Sequence, residues 1–154
     1  MRIFAALLGL WTALLVGLSI RVASRRDIGP TVATPVVPAD LRVPILLTAT
    51  DRAAVLAEMQ TMLGSVQGVL DGASRSDTAA IKAAAIASGT VMAVDPALEK
   101  ELPEKFLQLG MTVHRAFDSM AANAAAGPNA AVKRLATITA TCVECHATYR
   151  LQVK

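Results

Sequence analysis

The sequence predicts an all-α protein, an antiparallel up-and-down bundle of four helices preceded by an N-terminal signal or anchor helix. Three observations carry this expectation. Apolar residues recur at steps of three and four in four segments beyond residue 48, turn residues separate those segments, and an uncharged apolar run fills positions 3–20. At 154 residues one domain is expected, because a second core would be too small to be stable.

The opening "MRIFAALLGLWTALLVGLSIRVASRR" has a charge at Arg2, an apolar stretch and then Val22-Ala23-Ser24, the form of an export signal cleaved after Ser24. Its 18 uncharged residues also just suffice to span a bilayer, so an uncleaved membrane anchor is the alternative. Residues 1–24 are therefore read as signal peptide or anchor. Residues 25–47 hold Pro30, Pro35, Pro38 and Pro44, which block helix interiors and central strands, and read as an extended linker.

The bundle domain is expected over residues 48–154. Its first helix spans about 51–70, capped by Thr50, with Val55, Met59, Met62 or Leu63, Val66 and Leu70 on one face and Asp71-Gly72 as the stop. The second follows Ser76 as N-cap and carries Ile81, Ala85, Ser88 and Met92 before Asp95-Pro96. A third begins near Pro103 with Phe106, Leu109, Val113, Phe117 and Met120 in register, and fades toward Gly127. Pro128 suits the first turn of the fourth, whose stripe reads Val132, Leu135, Ile138, Cys142, Cys145 and Tyr149. No strand is expected.

Only 3% of residues are aromatic, and beyond Trp11 the domain has just Phe106, Phe117 and Tyr149 as large rings. A core so thin usually needs a metal, a disulfide or a cofactor to bury enough apolar surface. The net charge of +3 comes from the first 42 residues, with five basic against two acidic side chains; beyond them ten of each cancel. A neutral domain without a basic stripe excludes nucleic acid as the expected partner. No nucleophile, base pair or substrate cleft is legible, so no enzyme is expected.

Both cysteines and one of the two histidines fall inside "TCVECHATYR" as Cys142, Cys145 and His146, a C-x-x-C-H. Two thiols three apart on a helix can add to the two vinyl groups of one haem, while the adjacent imidazole serves as proximal iron ligand. A disulfide over so short a loop would constrain little of the unfolded chain. A thioredoxin-like pair normally follows a strand and opens a helix, whereas this motif lies late in one. Zinc wants four ligands, and His114 alone does not complete a set. One covalently attached haem c is the expected cofactor, and it would supply the apolar mass the core lacks.

With "CVECHATYR" near the C-terminus of an all-helical chain, the sequence resembles the cytochrome c prime family, four-helix-bundle c-type cytochromes of bacterial periplasms. "DRAAVLAEMQTML" is similar to the family's first helix, and "PEKFLQLGMTVHRAF" to its third. The likeness covers residues 45–154; the connection between helices two and three is shorter, and the tryptophan often found at the start of the third is missing. The resemblance implies thioethers at Cys142 and Cys145, His146 on iron, Arg150 beside the proximal pocket and Arg52 meeting a haem propionate. It aligns Leu56 with the distal aliphatic residue of five-coordinate members that bind NO or CO, and Met59 with a nearby methionine. Relatives with a thioether on iron are low-spin and suited to electron transfer.

The expected function is an exported single-electron carrier with Met59 opposite His146; the alternative is an open site under Leu56 that binds small gases. Met62 is placed less directly for ligation, and His114, off the Phe106–Phe117 stripe, reads as a surface or otherwise satisfied histidine. The expected partners are redox proteins or small gases, in the periplasm, free or anchored to the inner membrane through residues 3–20. Family members often pair through their first helices, which implies a homodimer.

Overall fold

The computed structural model describes residues 39–93 and 96–154. The expected signal or anchor over 1–24, most of the expected linker, and Asp95 lie outside the described residues. The chain runs β1 (Val43–Leu47), α1 (Ala49–Ser74), α2 (Thr78–Ile86), α3 (Pro96–Glu99), α4 (Glu104–Ala122), α5 (Pro128–Thr148) and β2 (Tyr149–Val153), with single 3-10 turns at Thr90–Met92 and Ala124–Ala126. The protein is mostly helical, as expected. Among the described residues no helix is long and apolar enough to cross a membrane.

Helix α1 starts at Ala49, two residues earlier than expected. Thr48, in an extended conformation, accepts the Asp51 N–H on its hydroxyl at 3.1 Å, and Asp51 also places a negative charge in the first turn. Thr50 is already helical. Gly72 does not stop the helix. The reversal comes at Ser76, whose φ of 56° is left-handed; the Ser76 N–H donates to Ala73 and the Asp77 N–H to Gly72, the paired bonds of a Schellman end. Asp77, rather than Ser76, then caps α2 by accepting from the Ala80 N–H at 2.9 Å.

Helix α2 ends at Ile86, short of the expected reach to Met92, which is exposed. Polar bonds hold the chain after it: the buried hydroxyls of Ser65 and Ser88 lie 2.7 Å apart, and the Asp118 carboxylate accepts from the Thr90 N–H and hydroxyl. Both α4 and α5 begin where the sequence expects, and Gly127, at φ 90°, supplies the turn between them.

The four longer helices pack as neighbours in the order α1, α2, α4, α5, with α5 returning to α1. The connections at 75–77 and 123–127 are too short for anything but antiparallel pairs. One core cluster fills the centre around Val69, Ile81, Phe117, Met120 and Ile138. A second, with Ile45, Leu47, Val55, Leu102 and Phe106, joins the strands and α3 to the starts of α1 and α4.

Two short strands depart from the expectation of no strand. β1 and β2 pair in parallel, Val43 opposite Tyr149 through Leu47 opposite Val153, so almost the whole helical domain is their crossover connection. The linker reading therefore fails over Val43–Leu47, where Ile45 and Leu47 are core residues. Tyr149 is not on the last helical stripe but opens β2, its ring edge-on to Phe106 at 5.6 Å between centroids. Each strand is five residues long with its partner about a hundred positions away, so no local periodicity announces the pair.

The expected faces of α1 and α5 also shift. Leu63 is 68% exposed, and Leu70 and Val132 are exposed as well, while α1 buries Val55, Ser65, Val69 and Gly72. The seam between α1 and α2 is made of small residues: a Cβ on Gly68 would lie 2.9 Å from that of Ala84, and one on Gly72 would lie 3.0 Å from Ile81. Close approach on that side turns the larger apolar side chains of α1 elsewhere. Gly64→Ala, with no atom near its added carbon, is expected to stabilise the protein by up to about 1 kcal/mol through helix propensity. Gly68→Ala gains the same propensity but forces two helices apart, at roughly 1–3 kcal/mol, and is expected to be net destabilising in urea titrations.

Candidate functional site

The large side chains of α1 face a cavity of about 420 Å³ lined chiefly by α1, α4 and α5. That is within the range of small-molecule and cofactor sites, and its walls are predominantly apolar. Leu56, Met59, Met62, Leu63 and Val66 come from α1; Phe106, Leu109, Met111, Val113, His114 and Phe117 from α4; and Ile138, Cys142, Cys145 and His146 from α5. Positions 142, 145 and 146 are three and four apart, so the helix places them on one side. The structure thus brings together five of the expected site residues, namely Cys142, Cys145, His146, Leu56 and Met59, on one cavity.

The two sulfurs are free thiols, half-buried. Burial pushes both up from the ordinary thiol range, and for Cys145 the neighbouring Cys142 and Glu144 add to the shift. Protonated thiols are poor ligands for a bare ion. Among the described residues no three His, Cys, Asp or Glu side chains converge as a metal site. Apolar walls, neutral thiols and an imidazole at the cavity edge fit a flat apolar macrocycle better than a naked cation.

The two arginines are not on the cavity wall. Arg52 lies in the first turn of α1, partly exposed. Arg150 was expected one helical turn beyond His146, but α5 ends at Thr148 and the strand carries Arg150 away from the cavity. Its Nε donates to the Arg42 carbonyl at 3.4 Å and lies 3.8 Å from the Asp40 carboxylate, and its Nη1 donates to the Gln152 side chain.

His146 is exposed in the last turn of α5, and its carbonyl accepts from Arg42 Nη1 at 3.3 Å. Arg42 is held in turn by Asp40, whose carboxyl its guanidinium lowers to about 2. Neither Asp40 nor Arg42 was singled out in the sequence, because both fall in the proline-rich segment. Met111 was also missed; it lies on no apolar stripe of α4, and only the cavity gives it a role.

His114 is 3% exposed and lines the cavity, so it is the satisfied histidine of the two alternatives and is not on the surface. A carbonyl only accepts, so Nδ1 donates to Ser88 at 3.0 Å; Nε2 meets the Glu58 carboxylate at 2.7 Å. The Glu58 hydrogen bond raises the histidine above its ordinary range, against the opposing effect of burial and with help from the Ser88 carbonyl. Because the folded value is raised, the pair stabilises the fold fully below the ordinary histidine pKa of 6.5, and this contribution is lost as pH rises through the folded value. Glu58→Ala is expected to cost about 1–3 kcal/mol at pH 6 and less at pH 9, measured by urea unfolding at each pH. In Glu58→Gln the His114 ring is expected to titrate at lower pH by NMR.

No protein-family model, curated protein or solved structure matches this chain.

Proposed function

We propose that the protein is an exported c-type haem protein of the cytochrome c prime type, a four-helix bundle that passes single electrons and is not an enzyme. The observation that carries this reading is the common cavity: Cys142, Cys145 and His146 of the C-x-x-C-H all line an apolar space whose α1 wall bears Leu56 and Met59. Cys142 and Cys145 would hold the macrocycle through thioethers, and His146 would bind its iron. Haem bound there supplies a one-electron couple. Phe106, Leu109, Val113 and Phe117 would exclude water from it, which favours a small reorganisation on electron exchange. Redox proteins are the proposed partners. The periplasm is the proposed location, with residues 3–20 as leader or inner-membrane anchor.

Leu56 lines the same wall as Met59, and this favours a second reading, an open iron face that binds NO or CO. The two are separated by the spectrum of protein produced with a haem-attachment system. Under the electron-carrier reading the oxidised protein is low-spin with a far-red sulfur-to-iron band, and Met59→Ala abolishes that band and makes the reduced protein bind CO. A high-spin parent that already binds CO would select the open site. Colourless protein would sink both.

A further inference from the structure

The segment before β1 reaches the end of α5 through one side chain. Arg42 Nη1 donates to the His146 carbonyl at 3.3 Å, while its Nε and Nη2 donate to the two carboxylate oxygens of Asp40 at 2.9 and 2.8 Å. The His146 carbonyl is among the last four of α5, which have no partner within the helix, and a cation there also meets the negative end of the helix dipole. The strand register fixes this meeting: Val43 is paired with Tyr149, so the residue before Val43 is carried back across the last helical turn. From the inner side, the Tyr149 ring packs on Phe106 of the cavity wall. The turn that carries His146 is therefore held between an outer guanidinium and an inner aromatic contact.

We infer that Arg42, braced by Asp40, is a positioning residue that fixes the last turn of α5 and with it the imidazole of His146. The inference rests on the haem reading above. An exposed ion pair by itself contributes little to global stability, so the role of Arg42 should be local. It joins positions 104 residues apart in sequence, at the turn that carries the proposed proximal ligand.

The test uses the full chain with haem attached and compares Arg42→Ala, Arg42→Lys and Lys154→Ala. The last removes the 2.9 Å bridge from Lys154 to Glu101 at the other end of β2 and serves as control. Arg42→Ala is expected to speed amide hydrogen exchange over residues 145–149 by roughly three- to tenfold, leave the central core unchanged, and shift the NMR signals of the His146 ring. Arg42→Lys should fall between, since an ammonium does not reproduce the two-pronged hold on Asp40. Lys154→Ala should leave those ring signals unchanged. Haem-loaded Arg42→Ala with parental exchange and parental His146 ring signals, or with exchange raised uniformly through the domain, overturns the positioning role alone. Parent protein without attached haem overturns the haem reading and the inference with it.

Discussion

Under the proposed haem reading, replacing Cys142 and Cys145 together with alanine is expected to abolish haem retention under denaturing conditions. Haem staining after denaturing electrophoresis should be lost entirely, and acidified organic solvent should extract all the pigment. Each single variant keeps one thioether and should remain stained, which separates attachment from mere pocket binding. Loss of pigment should also weaken the fold. An unfilled cavity of about 420 Å³, at about 24 cal/mol per Å³, would cost on the order of 10 kcal/mol, an upper bound because the space is partly open to solvent. That is comparable with the whole stability of a typical domain. The triple variant that also carries His146→Ala should therefore melt broadly or at much lower temperature by circular dichroism. A colourless variant that melts as sharply as the pigmented parent would show that the helices need no cofactor.

Phe117→Ala is expected to be the most destabilising single truncation, at about 3–5 kcal/mol. Phe117 is fully buried at the centre of the main core cluster and also lines the cavity, so its loss both removes apolar contact and enlarges a void. Against a typical total of 5–15 kcal/mol this would lower the melting temperature by roughly 10–20 °C. Leu70→Ala is the matched comparison. Both residues belong to apolar stripes in the sequence, yet Leu70 is 49% exposed and off the cavity wall, and its truncation should cost about 1 kcal/mol or less. Urea titration of the two variants side by side would reveal whether the cluster at Phe117 or the stripe on α1 carries the fold.

Local signals served well where one helix could be read alone. Helix α4 starts after Pro103 and shows its Phe106 to Met120 stripe as expected, because large apolar residues at steps of three and four bury together whatever they pack against. Helix α1 was harder. Its packing seam uses Ser65, Gly68 and Gly72, residues a hydrophobicity pattern ignores, so the large side chains assigned to the core line a cavity instead. Which of the two alternatives holds for His114, surface or satisfied, was open for a similar reason. Its partners, Glu58 and the Ser88 carbonyl, come from 56 and 26 positions away.

What the sequence by itself determined is the set of groups able to do chemistry, because C-x-x-C-H is a contiguous motif whose spacing on a helix places Cys142, Cys145 and His146 on one side. It also determined the helical character of the domain, through periodicity that each segment carries alone. Only the tertiary structure decided what faces those groups and what holds them. It turned Leu56, Met59, Met62 and Met111 onto the same cavity, sent Arg150 onto a strand, and brought Asp40 and Arg42 to the end of α5. Each of these depends on contacts between distant positions, above all on the parallel pairing of Val43–Leu47 with Tyr149–Val153. Strand pairing is an interaction between segments, and no single segment contains its partner.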